Sequence, residues 1–141
     1  MNRVFVDANI VVDWLNADSS QNILCSNCLQ VIKSLYKKPM VSPVSIAIVF
    51  YLVSKKVKDK KMVKRVLGEA FSNFIITGAN QATLDKVFSS AYLDLEDGIQ
   101  YFSAIESGAD AIVTFNGFDY VNAKIPILHP EEFLQLHAIK K

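Results

Sequence analysis

The chain has 141 residues, just over half of them apolar and about a fifth charged, a balance that fills the core of one domain and excludes a disordered protein. The formal net charge is +1, which excludes a protein that grips nucleic acid by bulk charge alone but leaves room for a local basic patch opposite an acidic site. No run of about 18 uncharged apolar residues occurs, and the opening MNRVFVDANIVVDWL carries Asp7 and Asp13 where a signal-peptide core has no carboxylates, so a cytoplasmic chain without a membrane partner is expected.

Val4, Phe5 and Val6 read as a buried first strand that ends at Asp7. Ile10, Val11, Trp14 and Leu15 then repeat at helical spacing. A second stripe of Ile23, Leu24, Cys28, Val31, Ile32 and Leu35 marks a helix over about residues 22–36. Lys37 and Lys38 favour its end, and Pro39 stops it. Cys25 and Cys28 form a lone C-x-x-C without a second pair, and His129 and His137 lie too far apart to be adjacent ligands on one helix. The two thiols read as reduced side chains one turn apart, not as a metal or redox centre.

Met40 and Val41 form a very short second strand. Ser42-Pro43 opens a helix through about Ser54, with Pro43 suited to the first turn; it is apolar nearly all round and is expected to be deeply buried. Residues 58–70 form an amphipathic helix with Met62, Val66 and Phe71 facing inward. Phe74, Ile75 and Ile76 make a third strand, and a helix beginning near Asn80 carries Leu84, Val87 and Phe88. The next helix runs from Asp94 to Ser107, opened by an acidic turn and closed by Gly108. Ala111, Ile112 and Val113 form a fourth strand, Ile125, Ile127 and Leu128 a fifth, and Pro130 starts a last helix. The alternation implies a parallel sheet covered on both faces, within one α/β domain over residues 1–141.

In such a sheet, active sites gather beyond the carboxyl ends of the strands. Three acidic stations fall there: Asp7 directly after the first strand, Asp94 and Asp97 one turn apart at a helix start, and Asp119 six residues beyond Val113. Each has a plain local role open to it. Asp7 can cap the following helix, Asp94, Glu96 and Asp97 can complement a helix dipole, and Asp119 can serve a turn. Three independent caps have no reason to converge on one sheet edge, however. Clustered carboxylates repel one another unless a cation sits among them, and hard oxygen donors favour Mg²⁺ or Mn²⁺. Such ions lower the pKa of a bound water and steady a phosphodiester's leaving oxygen, which points to hydrolysis of a nucleic-acid backbone. Carboxylates on opposite faces of the sheet would exclude the idea.

The segments VFVDANIVVDWL, SPVSIAIVFYLVSKK, DLEDGIQYFSAIESGADAIVTFNGFDY and IPILHPEEFL together resemble the PIN-domain family, particularly its VapC-like toxins, in the family's order and over nearly the whole chain. The third segment is the most specific, because it joins an acidic helix start, a short strand and a T-x-N-x-x-D turn. The resemblance implies a three-layer α/β/α sandwich with a central parallel sheet and Mg²⁺- or Mn²⁺-dependent cleavage of RNA. It implies that Asp7, Asp97 and Asp119 are metal-site acids, that Asp94 is an additional acid of the D-x-E-D form, and that Asn9, Thr114 and Asn116 are supporting polar positions. It also implies a homodimer and a neutralising antitoxin protein.

One position departs from the pattern. Many members carry a Glu on the helix after the second strand, and this chain has Ile48 there, with neither charge nor oxygens to offer a cation. Two readings stay open: a ribonuclease in which Asp94 compensates, and a catalytically weak or silent scaffold that holds RNA or a partner. A haloacid-dehalogenase-like phosphatase is a more distant alternative, from the faint likeness of Asp7-Ala8-Asn9-Ile10-Val11 to a D-x-D-x-[TV] motif in which Asn9 replaces the second acid. The basic stretch from Lys55 to Arg65 suits RNA phosphates or an ordinary solvated helix face. No Gly-rich phosphate loop is present.

Overall fold

The computed structural model describes residues 2–36 and 38–138. Val4–Val6 form strand β1, Ala8–Leu15 helix α1 and Asn22–Tyr36 helix α2. Met40–Val41 form β2, Pro43–Lys56 α3, Lys60–Phe71 α4 and Ile75–Ile76 β3. Gln81–Phe88 form α5, Leu95–Glu106 α6, Ala111–Val113 β4, Ile127–Leu128 β5 and Pro130–Ala138 α7. The part of the expected α2 ending that falls on Lys37 lies outside the described residues.

The five strands are all parallel and ordered β3-β2-β1-β4-β5. Successive side chains of a strand point to opposite faces, so Val4 and Val6 of β1 enter one core and Phe5 the other. The first core joins them to Val41 and Val113 and to Ile10, Leu29 and Phe133 from the helices on that face. The second holds Phe5, Met40 and Ile112 against Tyr101 and Ala104 of α6. Helices therefore cover both faces, which makes the expected three-layer sandwich. Among the described residues, no helix is long and apolar enough to cross a membrane.

Local chemistry explains the helix ends. Ser42 and Ser45 form a reciprocal capping box with Pro43 in the first turn of α3. Gly108, at φ 78°, closes α6: its N–H donates to the Ile105 carbonyl and that of Ala109 to the Ala104 carbonyl, a left-handed cap that glycine adopts without strain. Cys25 and Cys28 are free and buried on α2, and burial pushes both thiols up to about 12, which keeps them protonated and inert.

Three expectations need correction. Helix α3 is not deeply buried: only Ser45 and Val49 are fully enclosed, while Tyr51 and Leu52 are exposed, because the helix packs chiefly against α1, α4 and α6 and an all-apolar sequence does not say which side faces them. In α4 the inward stripe is Val63, Leu67 and Phe71; Met62 and Val66, one position back on each turn, are exposed. On α5, which carries Leu84, Val87 and Phe88 as expected, Val87 faces inward and the other two are exposed. Strands β3 and β5 are also shorter than expected, leaving Phe74 and Ile125 outside them.

Gly98, in the first turn of α6, sits where α5 and α6 meet. A Cβ there would come within 2.7 Å of Val87 Cγ1 and 3.2 Å of Tyr92 Cβ, and neither neighbour is the far end of a flexible chain. Gly98→Ala is therefore expected to destabilise the protein by about 1–2 kcal/mol despite alanine's better helix propensity, as read from denaturant unfolding. Wild-type stability would show that the two helices separate freely.

Candidate functional site

The strand order reverses at β1: β2 and β3 lie on one side of it, β4 and β5 on the other. A crevice opens at such a reversal beyond the carboxyl ends of the strands. Val6 pairs with Val113, so Asp7 and Thr114 leave the sheet side by side at that point. The Asp7 N–H still donates to the Val113 carbonyl at 3.0 Å, and the next residue begins α1.

Asp7 does cap α1, its Oδ1 accepting from the Asn9 N–H at 3.3 Å, but that is only part of its role. Its Oδ2 accepts from the Thr114 hydroxyl at 2.9 Å and from the Tyr120 hydroxyl at 2.9 Å. Thr114 Oγ1 in turn accepts from Asn9 Nδ2 at 3.3 Å and from the Asn116 N–H at 3.1 Å, which directs the hydroxyl proton toward Asp7. Asn9 Oδ1 accepts from the Phe115 N–H at 3.5 Å. The ends of β1 and β4 are thus laced together by their own side chains.

A helix that precedes a parallel strand runs back along it, so α6 begins at this same edge before β4. Asp94 caps it, Oδ1 accepting from the Asp97 N–H at 3.0 Å. One turn in, Gln100 is 2% exposed, and its Oε1 accepts from the Ala8 N–H at 3.2 Å and the Ser45 hydroxyl at 3.0 Å. Gln100 thereby fixes the start of α6 against α1 and α3. Asp119 ends a short 3-10 turn, Gly117–Asp119, that follows β4.

These elements enclose a pocket of about 300 Å³ lined by Asp7, Asn9, Asp97, Asn116 and Asp119, with Ile48 on its wall. The three expected metal-site acids lie on one side of the sheet edge, with two of the three supporting positions beside them. Thr114 stands behind Asp7 and Asp94 behind Asp97. Composition and spacing did not single out Tyr120, Gln100 or Ser45, which hold the acids in place. Nor did they single out Asp13 and Glu96, which also line the pocket. The one usable signal was spacing: Gln100 lies three residues beyond Asp97, on the same helix face.

The electrostatics are those of unpaired like charges. Burial raises the Asp7 carboxyl above the ordinary range, opposed by the donors Tyr120, Thr114 and Asn9 and assisted by the charge of Asp119. Burial, with Asp7 as a close negative neighbour, pushes the Tyr120 hydroxyl well above its usual value. Asp97 is pushed up to about 7, first by burial and then by Asp94, Asp119, Asp7 and Glu96. Among the described residues, no Lys or Arg lines the pocket.

The sign of the resulting pH effect follows from Asp97. Its folded-state value lies above its unfolded one, so its contribution to stability is complete below about pH 4 and is lost as pH rises through about 7. The metal-free protein is expected to lose stability over that range relative to Asp97→Asn, whose amide does not titrate. Thermal melts of both proteins at several pH values check this, and parallel profiles would contradict it.

The donor set is oxygen alone, which suits a hard divalent cation. Among the described residues, no three carboxylate, imidazole or thiolate groups stand close enough together to hold a metal ion as a set. Mg²⁺ keeps several waters and takes only one or two carboxylates directly, so a set of three is not a requirement for it. Asp7, Asp97 and Asp119 are the residues that could hold it.

A family model described as a PIN domain matches residues 3–117. The match begins at β1 and ends just short of Asp119. Ribonuclease VapC1 of Aquifex aeolicus (strain VF5) is 25% identical over 138 residues, covering 94% of each chain. Among solved structures, that of VapBC2 from Rickettsia felis bound to a DNA fragment from their promoter superposes with a TM-score of 0.69 at 18% identity, covering 89% of this chain and 97% of that one. A toxin–antitoxin complex from Klebsiella pneumoniae gives a TM-score of 0.66 at 19% identity, covering 90% and 97%.

Proposed function

The chain belongs to the PIN-domain family, and from that membership we propose that it is a Mg²⁺- or Mn²⁺-dependent endoribonuclease that hydrolyses RNA phosphodiester bonds as the toxin of a toxin–antitoxin pair. The observation that carries the proposal is the convergence of Asp7, Asp97 and Asp119 on one pocket where burial, and then neighbouring carboxylate charge, raises Asp7 and Asp97, with no Lys or Arg among the described residues that line it. Asp94 is the fourth acid, acting on Asp97 through its charge and its cap.

When bound, a divalent ion would supply positive charge for the phosphate oxygens and acidify a water at neutral pH. The chain's own residues do the rest. Thr114 and Tyr120 donate to Asp7 Oδ2 and favour its ionised form. Asn9 and Asn116 orient the Thr114 hydroxyl, and Gln100 holds the start of α6, and so Asp97, against α1 and α3. Exposed Lys60, Lys61 and Lys64 on α4 offer phosphate contacts outside the acidic pocket.

Similarity to the Aquifex ribonuclease and to the Klebsiella toxin–antitoxin complex supports an RNA substrate and an antitoxin partner. Apolar side chains left on the surface, among them Phe88, Leu93 and Phe118, support protein partners, including a second copy of the chain in a homodimer. Wild-type protein is expected to fragment a mixed pool of structured and single-stranded RNA in Mn²⁺ and to stop on chelation. One observation favours a second reading: Ile48 presents an apolar wall to the pocket where a carboxylate is usual, which suits a silent RNA- or partner-binding scaffold. Intact RNA in Mn²⁺ would select it.

A further inference from the structure

We propose that Tyr120 is a positioning residue that fixes the Asp7 carboxylate as a one-oxygen ligand; the inference rests on the metal-dependent reading given above. Tyr120 follows directly on the turn that carries Asp119, and its ring is 6% exposed, tilted against Tyr101 at a centroid distance of 6.4 Å within the second core. The ring cannot swing out without leaving that core, so its hydroxyl is held at 2.9 Å from Asp7 Oδ2.

An ionised carboxylate offers about four acceptor directions, two on each oxygen. Both directions on Oδ2 are taken, one by Tyr120 and one by Thr114, each at 2.9 Å. One direction on Oδ1 is taken by the Asn9 N–H at 3.3 Å. A single direction remains, on Oδ1. If Asp7 holds a divalent cation, Oδ1 is the oxygen that would be free to meet it, in a side-chain position set beforehand by these hydrogen bonds. The same hydrogen bond ties the turn bearing Asp119 to the end of β1, so two of the acids are placed by one hydroxyl. Without it, Thr114 alone holds Oδ2, and the carboxylate gains freedom that metal binding must then remove.

Packing and hydrogen bonding are separable here. Tyr120→Phe keeps the ring and removes the hydroxyl. Tyr101→Phe removes a different anchor of the same loop, the hydroxyl that accepts from the Lys124 N–H at 2.9 Å, without touching Asp7. Calorimetric titration of the full chain with MnCl₂, with circular dichroism to verify the fold, compares the two variants with wild type. Tyr120→Phe is expected to weaken Mn²⁺ binding by about tenfold, in the range found for groups that orient metal ligands, while Tyr101→Phe binds as wild type does. Wild-type affinity in Tyr120→Phe overturns the proposal and leaves the ribonuclease reading standing. Equal weakening in both variants also overturns it, because the effect then travels through the loop and not through Asp7. A wild-type chain that takes up no Mn²⁺ overturns the proposal and the metal-dependent reading together.

Discussion

Asp97→Asn is expected to lower Mn²⁺-dependent RNA cleavage by at least about a hundredfold, while the metal-free variant melts at a higher temperature than wild type. The amide keeps the shape of the side chain but loses its charge. The start of α6 survives the change, because Asp94 caps it through the backbone N–H of residue 97 and not through the side chain. What disappears is the mutual repulsion that, with burial, pushes the Asp97 carboxyl up to about 7. A residue kept for structure loses stability when replaced; one kept for chemistry loses activity and can gain stability. Initial rates across a Mn²⁺ titration, set beside thermal melts, separate the two roles. A variant that loses activity only in proportion to a lower melting temperature would place Asp97 among the structural residues.

Ile48→Glu carries the second large effect, and in two directions at once. Ile48 lines the pocket beside Asp7 and Asp97 and also packs against the first core. A glutamate there adds one more negative charge to a pocket already lined by Asp7, Asp97 and Asp119, and removes apolar contacts. Metal-free Ile48→Glu is expected to be less stable than wild type by about 1–3 kcal/mol. The added oxygens should raise Mn²⁺ affinity by about tenfold, because ligand charge count tunes the binding of hard cations. Mn²⁺ should therefore lift the melting temperature of the variant further than that of wild type at the same concentration. An unchanged metal response would mean that position 48 does not face the cation. If wild type leaves RNA intact and Ile48→Glu cuts it, the natural chain is a scaffold whose acidic site lacks one group.

Much of this was legible because the sheet strands are short apolar runs that stop on polar residues. V-F-V ends at Asp7 and A-I-V at Thr114, and both residues stand at the strand reversal. Asp94 marked the start of α6 and Gly108 its end, since a cap and a left-handed closure each require particular residue types. The orientation of α3 was not legible. Val44, Ile46, Ala47, Ile48, Val49 and Phe50 give no polar stripe to show which side faces solvent, and only packing against α1, α4 and α6 leaves Tyr51 and Leu52 outside. In α4 two apolar stripes one residue apart, Met62-Val66 and Val63-Leu67, competed, and contact with the first core selected the second.

Asp7, Asp97 and Asp119 and their polar neighbours Asn9, Thr114 and Asn116 were legible, whereas Gln100, Ser45 and Tyr120 were not, nor the further pocket acids Asp13 and Glu96. Gln100 reaches Ser45 across 55 positions and Ala8 across 92, and Tyr120 reaches Asp7 across 113. No local period records a hydrogen bond of that span. Tyr120 reads as one more apolar residue beside a turn until the fold brings its hydroxyl to β1.

The most direct test is cleavage of a mixed RNA pool in Mn²⁺ by wild type, Asp7→Asn and Asp97→Asn, each repeated with chelator. The account predicts fragments from wild type in Mn²⁺, none after chelation, and none above background from either variant. Fragments that survive chelation, or that either variant releases at the wild-type rate, would contradict a metal-dependent ribonuclease built on these carboxylates.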